Sequence, residues 1–373
     1  MDALTASLLL ARAPGVGPAR FGALLARHGS AAAALAAGRE AWRGAGVPEA
    51  GCAVLAAADP AGIEADLAWA QRPGNHLLCL GAAGYPPQLA AIADPPPLLW
   101  VHGDIGLLSD PQLAIVGTRR PTRSGRDDAH AFAGGLAAHG LAITSGLALG
   151  VDGAAHAGAL AAGGRTLAVL GTGLDRVYPA RHRDLAHAIA DAQGALISEF
   201  PLGMPPLAEN FPRRNRIIAG LSLGVLVVEA ALQSGSLITA RLAAEQGREV
   251  FALPGSIHNP LTRGCHALIR EGAKLVETAD EILGELAPHL HAALRTPLPA
   301  PAVEAAAASL PTPGQLDDDY RNLLDSMGND PSSVDLLVQR SGLTAEVVSS
   351  MLLILELDGY VSSAPGGLFV RLV

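Results

Sequence analysis

Nine short apolar runs, alternating with helical stretches, constrain the fold of this chain more than any other feature. They are Leu77–Leu80, Leu98–Val101, Leu113–Val116, Leu141–Thr144, Thr166–Leu170, Ala195–Ser198, Val225–Val228, Val250–Leu253 and Leu275–Val276. Several are continuously apolar, as suits strands covered on both faces. Most end in a glycine that leads into a helical pattern. This rhythm predicts an α/β core with a Rossmann-like, doubly wound, mainly parallel sheet. Ligands of such sheets bind beyond the carboxyl ends of the strands, so the turns after the runs are the places to search for function.

The flanks read differently. The first ~75 residues are Ala-rich and helical in period. Within them, the segment from Ala13 to Gly22, rich in Gly and Pro, has the character of a tight helix-hairpin-helix turn. Its glycines suit either close approach to a phosphate or a simple join between two helices; few basic residues flank it, which favours the join. Residues Ala287 to Gln315 are rich in Ala and Pro and read as a linker. Beyond it, Asp319–Ser326, Ser333–Arg340 and Thr344–Asp358 read as helices, and Tyr360–Ser363 with Gly367–Arg371 as a hairpin. Three helices and a hairpin make a winged helix, with Thr344 as an N-cap. The expected division is therefore residues 1–74 (helical, SAM or helix-hairpin-helix type), 75–286 (core), 287–315 (linker) and 316–373 (winged helix).

Charge narrows the function. The net charge of −9 excludes a protein that is basic all over. Between Pro111 and Lys274, however, 16 Arg and Lys face 12 Asp and Glu, whereas from Gly314 to Val373 the count is 3 against 9. A nucleic-acid surface belongs to the middle of the chain. The expected recognition helix of the winged unit has no cation and carries Glu346, Glu356 and Asp358. Phosphate binding requires cations, so that helix is assigned to protein contact or to structure. Cys52, Cys79 and Cys265 form no metal spacing and no disulfide framework. With no signal peptide and no apolar run able to span a bilayer, a cytoplasmic protein is expected.

Several turns carry candidate binding residues. Asn210-Phe211-Pro212-Arg213-Arg214-Asn215-Arg216 sets three arginines and an asparagine within four positions, before an apolar helical stretch. Arginine and asparagine there can bind phosphates and base edges, and Phe211 offers a face for stacking. Gly117-Thr118-Arg119 follows an apolar run, where a glycine lets an anion approach the backbone and Arg119 adds a bidentate contact. Ser145-Gly146 marks another turn, with Asp152 placed to cap the next helix. Asp152 and His156 could pair as acid and base, though their spacing is common in plain helix faces. Ser234-Gly235-Ser236 puts two hydroxyls and a glycine before a helix and suits an anion. Glu229 could meet a sugar or base, or be ordinary loop chemistry. Gly171-Thr172-Gly173 lacks the third small residue of a dinucleotide fingerprint, because Arg176 stands there. No Walker A motif, carboxylate pair, metal cluster or nucleophilic triad is present in the sequence, so no catalytic residue, metal or cofactor is expected.

The segment from Asn210 to Gly220 resembles the signature of the DNA-processing protein DprA (Smf) family. Four more blocks match that pattern in order: Val116–Thr122, Ser145–His156, Ser234–Arg241 and Asn259–Ile269. The resemblance covers roughly residues 75–285. It implies a single-stranded DNA pocket built from the Gly-Thr-Arg turn and the Phe-Pro-Arg-Arg-Asn-Arg segment, with no catalysis. It also implies protection of DNA in natural transformation or repair, loading of the RecA recombinase, and a homodimer formed through the core. The alternative is a nucleotide hydrolase of the lysine-decarboxylase-like class, which splits base from ribose phosphate. That class carries a Pro-Gly-Gly-x-Gly-Thr turn, from which Pro254-Gly255-Ser256-Ile257 departs.

Overall fold

The computed structural model describes residues 2–59 and 63–295, and in the C-terminal part residues 318–327, 332–344, 347–348, 351–352, 355, 360–364 and 368–371. The chain divides into two compact units, residues 1–297 and 298–373.

Six helices open the first unit: α1 (Ala3–Arg12), α2 (Pro18–His28), α3 (Ala31–Ala36), α4 (Gly38–Gly44), α5 (Glu49–Ala57) and α6 (Glu64–Ala70). Local chemistry sets their ends. Asp2 caps α1 through the Thr5 amide at 2.8 Å, and Ser30 caps α3 through that of Ala33. Pro18 begins α2, and Gly29 ends it with φ +79°. Leu10, Phe21, Leu24, Trp42 and Leu55 fill the core between these helices. Gly15 of the α1–α2 hairpin and Gly51 of α5 serve this packing. A Cβ on Gly15 would lie 2.4 Å from Pro48, and one on Gly51 would lie 2.3 Å from the Pro14 carbonyl. Leu8 and Leu9 on the other side of α1 pack with Trp69, Leu98 and Trp100, which docks the helices on the sheet.

All nine expected strands form, within two residues of the expected bounds: β1 (Asn75–Cys79), β2 (Leu98–Gly103), β3 (Gln112–Val116), β4 (Ala142–Ser145), β5 (Thr166–Val169), β6 (Ala195–Ser198), β7 (Gly224–Val227), β8 (Glu249–Ala252) and β9 (Lys274–Leu275). Their order is β1-β2-β6-β5-β4-β3-β7-β8-β9. The seven strands from β6 to β9 run parallel; β2 joins β6, and β1 joins β2, antiparallel. The helices between them are α7 (Pro87–Ala90), α8 (Arg123–Ala138), α9 (Val151–Ala161), α10 (Arg183–Asp191), α11 (Asn210–Leu221), α12 (Gly235–Glu245) and α13 (Arg263–Arg270), and α14 (Ala279–Arg295) follows β9. Along β3, Leu113 and Ile115 enter one core, and Ala114 and Val116 the other. Burial on both faces is why these strands lack polar alternation.

The chain builds outward from β3 through β4 and β5 to β6. It then returns along α11 and starts again at β7, on the other side of β3. The strand order therefore reverses between β3 and β7, and a crevice opens there at the carboxyl ends. The expected linker begins later than Ala287, because α14 continues to Arg295 with Pro288 inside it. Ile282 and Leu286, just before the expected boundary, are buried one turn apart and anchor this helix on the core; the rest of the expected linker, 296–315, lies outside the described residues.

In the second unit, α15 (Asp318–Met327) and α16 (Val334–Ser341) accompany a three-stranded sheet of β10 (Ser332–Ser333), β11 (Val361–Ala364) and β12 (Leu368–Arg371), ordered β10-β12-β11. β11 and β12 form the expected antiparallel hairpin; β10 is an added strand. Thr344 Oγ1 accepts from the Val347 amide at 3.4 Å, as a cap would. Glu346, Glu356 and Asp358, on which the acidic reading of this helix rests, lie outside the described residues.

Candidate nucleic-acid interface

A cleft of about 510 Å³ lies at the strand-order reversal. Gly117, Thr118 and Arg119 enter it beyond β3, Phe211, Arg214 and Asn215 from α11, and Ser234, Gly235 and Ser236 from the start of α12. Backbone packs on backbone around its floor. Thr118 donates its amide to the Glu229 carbonyl beyond β7 at 2.7 Å, and Val151 donates to Thr118 at 3.2 Å. A Cβ on Gly117 would lie 2.7 Å from Val151 Cγ2. One on Gly150, whose φ is +89°, would lie 2.4 Å from the Thr118 carbonyl. These glycines bring three loops together.

Phe211 forms the aromatic centre. Its ring rests on Gly171, where a Cβ would lie 2.9 Å from the ring edge. The lone Gly-x-Gly is thus a seat for this ring. The Arg119 guanidinium stands 5.4 Å from the ring centroid, and Tyr178 is 5.6 Å away at 42°. Tyr178 is 44% exposed. Sequence reasoning missed it, and the only available signal was a Tyr-Pro step some 30 residues from the Phe-Pro step.

The arginines of α11 split between two sides, because at ~100° per helical residue Arg213 and Arg216 are neighbours and Arg214 is not. Arg214 points inward along the cleft floor. Its Nη1 donates to the carbonyl of Gly146 at 2.9 Å and to that of Val169, while its Nε has no partner among the described residues. A Cβ on Gly146 would lie 2.6 Å from Arg214 Nη1 and 2.7 Å from Asp152 Oδ2, so only glycine lets these two charges face each other. Burial lowers the Arg214 pKa to about 10, against the Asp152 charge, and Arg119 adds repulsion. Burial also raises the Asp152 pKa, more than Arg214 lowers it. The site therefore holds a buried cation facing a buried carboxylate, each charge disfavoured by its burial.

Arg216 lies away from the cleft. It is buried and bidentate to Glu199, with Nη1 to Oε1 at 2.6 Å and Nη2 to Oε2 at 2.8 Å. Its Nε donates to Asp94 Oδ2 at 2.9 Å. Burial pulls its pKa down, but Glu199 and Asp94 leave it raised overall. The expectation that all three arginines share one anion groove is corrected here: Arg216 is neutralised inside the fold. Arg213 is half exposed, meets Glu199 at 3.1 Å and lies over the Phe200 ring. Asn215 Nδ2 donates to the Gly235 carbonyl at 3.4 Å, tying α11 to α12.

The other expected residues sort by burial. Ser234 caps α12 through the Ser236 amide, and their hydroxyls meet at 2.7 Å on the cleft wall. Ser145 is buried, its hydroxyl donating to the Ile115 carbonyl at 2.6 Å, and does not line the cleft. Asp152 does not cap α9; it accepts from the Gly146 and Ala148 amides and holds the preceding loop. His156 makes no pair with it. Its Nδ1 meets Thr166 Oγ1 at 2.7 Å, and burial, with the charges of His182 and Arg214, lowers its pKa to about 3. Glu229 is taken by the Thr122 amide and hydroxyl, both at 2.8 Å, and so orients the start of α8 instead of meeting a sugar. Gly255 lies against Thr262, where a Cβ would lie 2.3 Å from Cγ2. With that turn packed and Glu229 engaged, the hydrolase alternative is not favoured. Among the described residues no cluster could hold a metal ion, and no helix is long and apolar enough to cross a membrane.

Comparison with known proteins gives the same emphasis. Residues 76–287 match the family model described as DNA recombination-mediator protein A. Residues 2–59 match a DprA-like N-terminal HHH domain, and residues 295–367 a DprA winged helix domain. Protein Smf of Escherichia coli is 48% identical over 312 residues, covering 83% of this chain and 81% of that protein. DNA processing protein DprA of Streptococcus pneumoniae is 48% identical over 201 residues, 54% of this chain and 71% of that one. The crystal structure of the S. pneumoniae protein matches with a TM-score of 0.67 at 36% identity, covering 76% of this chain and 99% of that one. DNA processing protein A from Helicobacter pylori, whose structure is described as revealing a single-stranded DNA binding mode, matches at 0.52 with 32% identity, over 57% of this chain and 96% of that one.

Proposed function

Because this chain belongs to the DNA recombination-mediator protein A (DprA/Smf) family, we propose that its cleft binds single-stranded DNA, without catalysis. The observation that carries this reading is the Phe211 ring, seated on Gly171 between the Arg119 guanidinium and Tyr178. An unstacked base finds an aromatic face there, and its phosphates find Arg119, the loop amides and the Ser234–Ser236 wall. Stacking and phosphate contact accept any base, so binding is strong on single strands and weakly dependent on sequence. The H. pylori relative supports the reading, since it is described as a single-strand binder.

The wider role follows from family membership. The bound strand is protected in the cytoplasm and handed to RecA during natural transformation or repair. A homodimer formed through the core would let one strand span two sites and so gain effective concentration. Phe211→Ala provides the test. It should weaken binding of an oligothymidylate by roughly 1–3 kcal/mol while circular dichroism shows an intact fold. Wild-type affinity in that variant would remove the ring from the site.

A further inference from the structure

A second groove, of about 550 Å³, lies on the other side of the first turn of α11. One wall is the α1–α2 hairpin, from Arg12 to Arg20. The other is formed by Phe200, Met204 and Arg213 of the core. We propose that this groove carries the sugar-phosphate backbone of the same DNA strand as it leaves the cleft, so that the helical unit and the core form one continuous path. The proposal rests on the single-strand reading of the cleft.

Charge is the first argument. In a chain of net charge −9, this groove gathers Arg12, Arg20 and Arg213 against one lining carboxylate, Glu199. Glu199 is buried, with its side chain 1% exposed, and is engaged by Arg213 and Arg216. Asp66, which holds Arg12, is also fully buried. Both carboxylates therefore sit behind their cations, and the surface met from solvent is cationic. A polyanion fits it, whereas an acidic lining would have repelled one.

Continuity is the second argument. Arg213 lies between Phe211 and Arg214 of the cleft. The segment leading into α11 contributes Pro201 and Met204 to the groove, then Pro206 and Ala208 to the cleft. One stretch of chain thus forms a wall of both. The chemistry differs between them. The aromatic rings lining the groove, Phe200 and Trp100, are buried. No face is offered for stacking, so the groove suits phosphates and is indifferent to bases. Arg20 Nη1 donates to the Gly15 carbonyl at 2.6 Å and Arg12 is paired with Asp66, contacts that hold both guanidiniums of this wall in place.

The test compares oligothymidylates of about 6 and about 20 nucleotides on the full chain. Arg20→Glu and Met204→Glu reverse or add charge from opposite walls, and Arg27→Glu is a control on α2 outside the groove. Both groove variants should bind the short strand as the wild type does and the long strand at least fivefold more weakly. The log–log salt slope for the long strand should flatten by about 0.7 for every phosphate the groove no longer neutralises. The control should change neither. Wild-type affinity and slope for the long strand in both groove variants would overturn the proposal, as would an equal loss in the Arg27→Glu control. If Phe211→Ala weakens both lengths while the groove variants weaken neither, only the groove fails. If Phe211→Ala weakens neither, the cleft reading itself fails.

Discussion

Arg213, Arg214 and Arg216 lie within four positions, yet Arg214 meets backbone carbonyls on the cleft floor while Arg213 and Arg216 share Glu199, and their substitutions should separate accordingly. Arg216→Ala strips buried Glu199 of its bidentate partner and leaves it only the single contact from half-exposed Arg213, a change worth up to about 3–5 kcal/mol of stability. Its first effect should appear as a lowered midpoint in urea denaturation. Arg119→Ala should keep the midpoint, weaken DNA binding and reduce the salt slope on single strands by about 0.7. An unchanged slope would take Arg119 off the phosphate backbone. Asp152 gives the opposite sign. Asp152→Asn keeps an acceptor for the Gly146 and Ala148 amides and removes the charge facing Arg214. Affinity for single strands should rise, by up to about tenfold, or about 1.4 kcal/mol. Titration calorimetry at low salt would show it, and weaker binding would mean that Asp152 serves chiefly to aim Arg214. The sequence made the arginine cluster and Phe211 legible because composition at a helix start is local. The sorting of those arginines was not legible, because it depends on Glu199 and Asp94, which only the fold brings to α11.

At the scale of the element, α9 carries a pH liability. His156 is fully buried on it and bonded to Thr166, with its pKa pushed down to about 3. The unfolded chain, with a histidine pKa near 6.5, binds the proton that the folded chain refuses. Stability is therefore retained above about pH 6.5 and falls as the pH drops toward 3, by up to about 1.4 kcal/mol per pH unit. His156→Gln should flatten that slope in denaturation midpoints between pH 7 and 4.5; an identical slope would place the liability elsewhere. The strands were legible because burial on both faces writes itself as an unbroken apolar run. Helix α14 was not, since Ala, Leu and Pro describe a linker as well as a helix, and the burial of Ile282 and Leu286 is visible only against the sheet.

For the whole molecule, the division at residue 297 and the uneven charge lead to one expectation. The C-terminal stretch from Gly314 holds 3 basic against 9 acidic residues, and Arg371 donates to the Leu324 carbonyl and Asp325 inside its own unit. Truncation after Pro297 should leave the first unit folded and its single-strand affinity within a few-fold of the full chain, while recruitment of a protein partner is impaired. A large loss of DNA affinity in the folded truncation would assign the β11–β12 hairpin to the DNA instead. The glycine floor of the cleft has a consequence of its own. Gly117, Gly146, Gly150 and Gly171 leave no volume in which a side chain could be added. A binder acquires a preference for one base by growing side chains toward its edge, and these four positions have nowhere to grow them, Gly235 on the far wall being the open one. Lineages and protein engineers alike should therefore find the affinity of this site easy to adjust and its indifference to base identity hard to abolish.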